Sequence, residues 1–156
     1  MNTTTANETI LTPALALLPA KMGSKLARVM MLAIGLQESH FQYRRQINGP
    51  ARGFWQFESG GGVKGVMTHP SSINLAQAVC KARGVPFERQ AVYDALENDD
   101  LLAACFARLL LWTDPKAMPD NADDGWSLYT RVWRPGKPHP KTWPDFYRQA
   151  WATING

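Results

Sequence analysis

The chain has 156 residues, 45% of them hydrophobic and 19% charged, with a net charge of +4 and a pI near 9.3. That is about the length of one domain, and the composition supports a buried core and excludes a disordered or low-complexity chain. The basic surplus favours acidic partners (nucleic acid, an anionic membrane, the polyanionic bacterial envelope), but no block of five basic residues marks any one of them.

The first nine residues are rich in Thr and Asn and read as a flexible N-terminus. Thr12-Pro13 reads as a helix start, with Thr as the cap and Pro in the first turn, for a short helix ending near Leu18. Ser24 reads as the N-cap of the next helix, where Leu26, Val29, Met30, Ala33 and Ile34 recur at helical spacing. Glu38 lies four residues beyond Ile34 and eight beyond Met30, so it continues the apolar face. A carboxyl on the buried face of a helix is costly unless something uses it.

Residues 42–66 change character. Asn48-Gly49-Pro50 marks a turn, Phe54-Trp55-Gln56-Phe57 is β-prone, and Gly60-Gly61-Gly62 reads as a flexible connection. The segment therefore reads as a small sheet or hairpin set between helices. In a strand, residues two apart share a face, so Gln56 and Glu58 could both look into a cleft. Phe54 and Phe57 read as core, and Trp55 as an aromatic platform for a sugar ring.

Three helices come next, over about 74–82, 87–97 and 100–112, the last capped by Asp99. Pro115 and Pro119 form a loop, and Asp124-Gly125 precedes a helix through Trp126 and Tyr129. The Pro-rich piece from Arg134 to Pro144 reads as a loop, and a last helix spans about 144–152. The pattern by itself is α+β, mostly α.

Cys80 and Cys105 sit among apolar neighbours and read as two buried free thiols, with a disulfide left open. The absence of Cys-x-x-Cys and of clustered His gives no metal site. Gly60 to Gly65 lacks the phosphate-loop spacing, and no nucleophile-elbow pattern accompanies the Ser and His residues. The start carries no basic residues ahead of its short apolar run, so neither a signal peptide nor membrane insertion is expected.

Two motifs carry a family resemblance. Glu38-Ser39-His40-Phe41 and Gly53-Phe54-Trp55-Gln56, in that order and spacing, resemble the first two motifs of the lysozyme-like superfamily, as found in soluble lytic transglycosylases and phage lysozyme-like domains. Tyr129-Thr130-Arg131 with Gly136 matches a third motif in part, Thr130 standing where the family has Asn. The likeness covers roughly residues 22–136. It implies one lysozyme-like domain over 1–156, with a helical core and a small β-sheet or hairpin flanking an active-site cleft.

The resemblance also implies a reaction. The substrate would be peptidoglycan, cut at the β-1,4 bond between N-acetylmuramic acid and N-acetylglucosamine. Glu38 would be the catalytic acid, Ser39, Gly53, Trp55, Gln56 and Tyr129 would hold the glycan, and no cofactor or metal would take part. The partial third motif favours a lytic transglycosylase, in which the muramoyl 6-hydroxyl closes a 1,6-anhydro ring. Glu58 is the candidate second carboxylate for a hydrolytic lysozyme or chitinase-like alternative, and a non-catalytic glycan-binding virion module is a further one. The setting would be a phage or prophage. The chain would be made in the host cytoplasm without a signal peptide and would reach the cell wall in a virion or through a pore, as a monomer or a particle component. The basic and aromatic residues between Tyr129 and His139 suit a glycan groove, a plain loop or a nucleic-acid strand; without an RNA-binding or helix-turn-helix signature, nucleic acid is not the expected partner.

Overall fold

The computed structural model describes all 156 residues and is helical throughout. The chain begins with α1 (Thr3–Ala6) and α2 (Thr12–Leu15), joined by a π-helical turn, Asn7–Leu11, into one rod. Asn2 caps it by accepting from the Thr5 N–H at 2.8 Å. Thr12-Pro13 is therefore not a helix start but lies inside a helix already running. Pro13 has no N–H, and its ring crowds the carbonyl four residues back. The preceding turn widens to meet it, the Thr12 N–H donating to the Asn7 carbonyl. Residues 1–9, expected as a flexible lead, are helical from Thr3. Ala6 is buried, and the Met1 ammonium donates to the Phe41 carbonyl at 3.3 Å.

Helix α3 (Lys25–Ser39) starts where its cap predicts, the Ser24 hydroxyl accepting from the Ala27 N–H at 3.1 Å. Every residue from Val29 to Leu36 is buried, so it is a central helix covered on all sides. His40 and Phe41 both adopt positive φ (54° and 53°), which reverses the chain and lays the Phe41 ring against Gly35. A Cβ at residue 35 would overlap that ring.

The remaining helices are α4 (Lys64–Thr68), α5 (Ile73–Ala82), α6 (Arg89–Leu96), α7 (Asp100–Trp112), α8 (Ala122–Trp133) and α9 (Trp143–Asn155). Asp99 caps α7 as expected, accepting from the Leu102 N–H at 3.0 Å. Helix α7 is buried from Leu102 to Leu111 and packs against α2, α3, α5, α6 and α8, while α9 runs along α3. One contiguous apolar core unites them.

The expected α+β architecture is corrected on one point: there is no sheet. Residues 42–66 contain only two isolated antiparallel bridges, Arg45–Arg52 and Arg52–Phe57. Gly53 (φ 78°) and Gln56 (φ 54°) both lie in the left-handed region, which a strand cannot hold. Gly53 to Gln56 is instead a tight turn, closed by the Gln56 N–H on the Gly53 carbonyl at 3.0 Å. Phe54, Trp55 and Phe57 are all buried, so the β-propensity of these residues gave way to packing. Gly60 to Gly62 form a kinked turn, with Gly61 outside helical angles (φ -103°, ψ -106°), that leads into α4.

Cys80 on α5 and Cys105 on α7 are free and buried. Burial pushes their thiols up to about 11 and about 12, so neither is a nucleophile near neutral pH. No group of three or more His, Cys, Asp or Glu residues could hold a metal, and no helix is long and apolar enough to cross a membrane.

Candidate active site

The last turn of α3 carries Glu38 and Ser39 beyond the buried stretch that ends at Leu36. Glu38 continues the apolar face and is half-buried. It meets a cavity of about 660 Å³ that is bounded also by the Gly53–Gln56 turn, the end of α8 and the loop after it. The Tyr129 hydroxyl donates to Glu38 Oε1 at 2.9 Å. Tyr129 is itself fixed, its ring lying nearly parallel to Trp143 with centroids 5.3 Å apart. Burial, with the neighbouring carboxylate, pushes the Tyr129 hydroxyl well above its ordinary range, so it remains a donor.

No cation neutralises Glu38. Arg44 and Arg45, the nearest cations in sequence, are held elsewhere, by Asp100 at 2.8 Å and Glu97 at 2.7 Å. Desolvation therefore governs the acid and raises its pKa to about 7; the Tyr129 hydrogen bond opposes this, and the negative charge of Glu58 adds to it. A carboxyl at that value can give up a proton and take it back near neutrality.

The other predicted site residues divide into two groups. Gln56 and Glu58 do line the cavity with Glu38 and Tyr129. The Gln56 Nε2 donates to the Gly53 carbonyl at 2.9 Å, which leaves its oxygen and second N–H for a ligand. Glu58 is exposed at the cavity edge. A second cavity of about 650 Å³ shares Glu58, Trp133 and Arg134 with the first, so the groove continues past Glu58.

Ser39, Gly53 and Trp55, the other three residues expected to hold the glycan, do not line the cavity. Ser39 is wholly buried; its hydroxyl donates to the Phe54 carbonyl at 2.7 Å and accepts from the Phe41 N–H at 3.2 Å. It staples the acid's helix to the turn that carries Gln56. Trp55 is 0% exposed, donates to the Met31 carbonyl at 2.8 Å and meets Phe41 edge-on, so no sugar can reach it. Gly53 is needed for its positive φ and because a Cβ there would stand 2.6 Å from the Leu96 carbonyl oxygen. The backbone that approaches it is the end of α6, not a ligand. Ser39→Ala leaves the Phe54 carbonyl and the Phe41 N–H without this partner. It is expected to cost about 1–3 kcal/mol in denaturant unfolding.

The structure brings further residues to the cavity. Trp133 lines it in place of Trp55 and donates to the Trp55 carbonyl at 3.0 Å. Tyr43 (41% exposed) and Ile47 (77% exposed) line its rim; large apolar groups off any helical repeat were the available signal for them. Arg134, Gly136, Lys137 and His139 line the wall after α8. Thr130, which interrupts the third motif, bonds back to Trp126 within α8 at 2.9 Å and does not line the cavity.

Comparison of the chain with protein-family models, with curated proteins and with solved structures finds no match.

Proposed function

We propose that this chain cleaves the β-1,4 bond between N-acetylmuramic acid and N-acetylglucosamine in peptidoglycan strands, as a lytic transglycosylase of phage or prophage origin acting at the bacterial cell wall. One observation carries the reading: a carboxyl unpaired by any cation and held by the Tyr129 hydroxyl lines an open cavity, and burial raises its pKa to about 7. That is the state a glycosidic bond requires of its proton donor. The order of the Glu38-Ser39, Gly53–Gln56 and Tyr129 motifs along the chain supports the same chemistry without the sheet.

Glu38 gives its proton to the glycosidic oxygen as the bond from the anomeric carbon to that oxygen breaks. The muramoyl 6-hydroxyl oxygen then bonds to the anomeric carbon. Its proton passes to the Glu38 carboxylate, which restores the acid and leaves a 1,6-anhydro end. The step uses no cofactor and no second carboxylate. A hydrolytic reading is favoured by one feature, the presence of Glu58 in the same cavity with its charge acting on Glu38. In that route water supplies the oxygen and the product has a reducing end.

The test is to digest purified peptidoglycan with the chain and with Glu38→Gln and identify soluble products by mass spectrometry. Anhydro-muropeptides from the unchanged chain alone support transglycosylation, and reducing muropeptides support hydrolysis. Products from both proteins remove Glu38 from the chemistry. Binding without products from either indicates a glycan-binding virion module.

The electrostatics add a check. Activity needs protonated Glu38, so the rate is expected to fall about tenfold per pH unit once the pH exceeds about 7. The Tyr129 hydrogen bond favours the carboxylate, so Tyr129→Phe is expected to move that limb to higher pH. The Glu58 charge disfavours the carboxylate, so Glu58→Gln is expected to move it to lower pH. Rate profiles of the two variants should shift in opposite directions; a common direction would refute the assigned causes.

A further inference from the structure

The cavity carries both signs of charge, and the acid mechanism uses only the negative one. Glu38 and Glu58 line it together with Arg134 and Lys137. Six of the ten arginines, Arg44, Arg45, Arg52, Arg83, Arg131 and Arg148, each contact a carboxylate within 4 Å, whereas no lysine does. Arg134 and Lys137 make no ion pair and no side-chain hydrogen bond, although the chain has a ready supply of surface carboxylates.

The wall is also built. Arg134 takes a left-handed conformation (φ 49°, ψ 56°) that ends α8 and turns the chain along the cavity. Such a conformation is unfavourable for a residue with a side chain and persists where the surroundings impose it. Three prolines, Pro135, Pro138 and Pro140, stiffen the loop after it. Gln37, next to the acid, donates to the His139 carbonyl at 3.0 Å and accepts from the Thr142 hydroxyl at 3.0 Å, which ties the far end of the loop to α3. Two unpaired, exposed cations thus stand on a braced loop that lines the same cavity as the acid. A guanidinium and an ammonium placed this way suit a carboxylate.

Building on the proposed function, we infer that Arg134 and Lys137 bind a carboxylate on the muramoyl side branch, so that the site selects anionic glycan strands over neutral ones. Two sources carry that chemistry. One is the lactyl ether, whose carboxylate is free only where the stem peptide has been removed; the other is the stem peptide itself.

The test uses the full-length chain carrying Glu38→Gln, so that binding is read without turnover. Its sedimentation with purified peptidoglycan sacculi is measured on intact material, on material stripped of stem peptides by an amidase, and on intact material whose carboxylates have been converted to amides with carbodiimide. Amidation is expected to weaken binding about tenfold or more. Arg134→Gln with Lys137→Gln is expected to bring binding on intact sacculi down to the amidated level at an unchanged melting temperature, and Arg134→Lys with Lys137→Arg to restore it. Binding lost on stripping assigns the stem peptide, and binding gained on stripping, with amidation of intact material having no effect, assigns the lactyl carboxylate. The inference is overturned if the double Gln variant still discriminates, or if Lys81→Gln with Arg89→Gln, exposed cations outside the cavity, abolishes discrimination equally. The functional reading fails separately: discrimination with no soluble product from the unsubstituted chain would leave the carboxylate site standing and remove the enzyme.

Discussion

Glu38→Gln is expected to abolish peptidoglycan cleavage while making the protein more stable above neutral pH. A positioned general acid contributes about 10²- to 10⁴-fold to rate, and an amide cannot supply the proton, so turnover should fall by at least that factor. The stability change has the opposite sign. The carboxyl has an ordinary pKa of 4.5 and is raised to about 7 in the folded chain. Between those values the folded protein holds a proton that the unfolded chain has released. Folding stability therefore falls as pH rises through that window, and the loss is complete above about 7.

The span corresponds to about 3 kcal/mol, or about 6–12 °C in melting temperature for a chain of this size. Gln keeps a carbonyl oxygen for the Tyr129 hydroxyl and has no charge to desolvate. Melting curves of the two proteins should coincide near pH ~4 and separate toward pH ~8, the variant being the more stable. Coincidence at every pH would show that Glu38 is not held in a desolvated site, and the acid assignment would lose its physical basis.

Gly53→Ala is expected to cost about 3 kcal/mol or more and to lower the melting temperature by about 6–12 °C. Two terms act together. A residue with a Cβ pays about 1–2 kcal/mol to hold a left-handed φ, and Gly53 sits at 78°. The new Cβ would also stand 2.6 Å from the Leu96 carbonyl oxygen. That atom is backbone at the end of α6 and cannot rotate away, so the turn or the helix must move. The turn carries Gln56 into the cavity and the Phe54 carbonyl onto Ser39, so its displacement should reduce cleavage even in the fraction that remains folded. Gly60→Ala is the internal control. Nothing lies within 4 Å of a Cβ there, and a change within about 0.5 kcal/mol is expected. If the two substitutions had equal effects, the close approach at Gly53 would not be what holds the turn.

The residues that sequence reasoning placed well are those whose environment is local. Ser24 and Asp99 cap the helices they precede, because a cap answers to N–H groups two or three residues away. The placement of Glu38 is of the same kind. Four- and eight-residue spacing from Ile34 and Met30 puts it on the buried face of α3 wherever that helix packs. Thr12-Pro13 shows the limit of local rules, since an identical dipeptide suits a helix start or a widened turn, and only the upstream cap at Asn2 decides between them.

Three features required the folded chain. Phe54-Trp55-Gln56-Phe57 has the residue types of a strand. Burial of three of the four, with a non-glycine residue at positive φ, makes it a turn, and the expected sheet disappears with it. Trp55, expected as a platform, is core, and Trp133 lines the cavity, because α8 meets the Gly53–Gln56 turn only in three dimensions. The partners of charge are equally non-local. Arg44 and Arg45 leave Glu38 for carboxylates more than fifty residues away, and the acid is left to Tyr129, an aromatic residue on another helix. By itself, then, the sequence determined the longer helices, the caps of α3 and α7 and the side of α3 on which Glu38 lies, all matters of spacing along a chain. The tertiary structure decided how that carboxyl is held, which aromatic faces the groove and which cations stay free to meet a ligand, because desolvation and pairing depend on what other elements bring within a few ångströms.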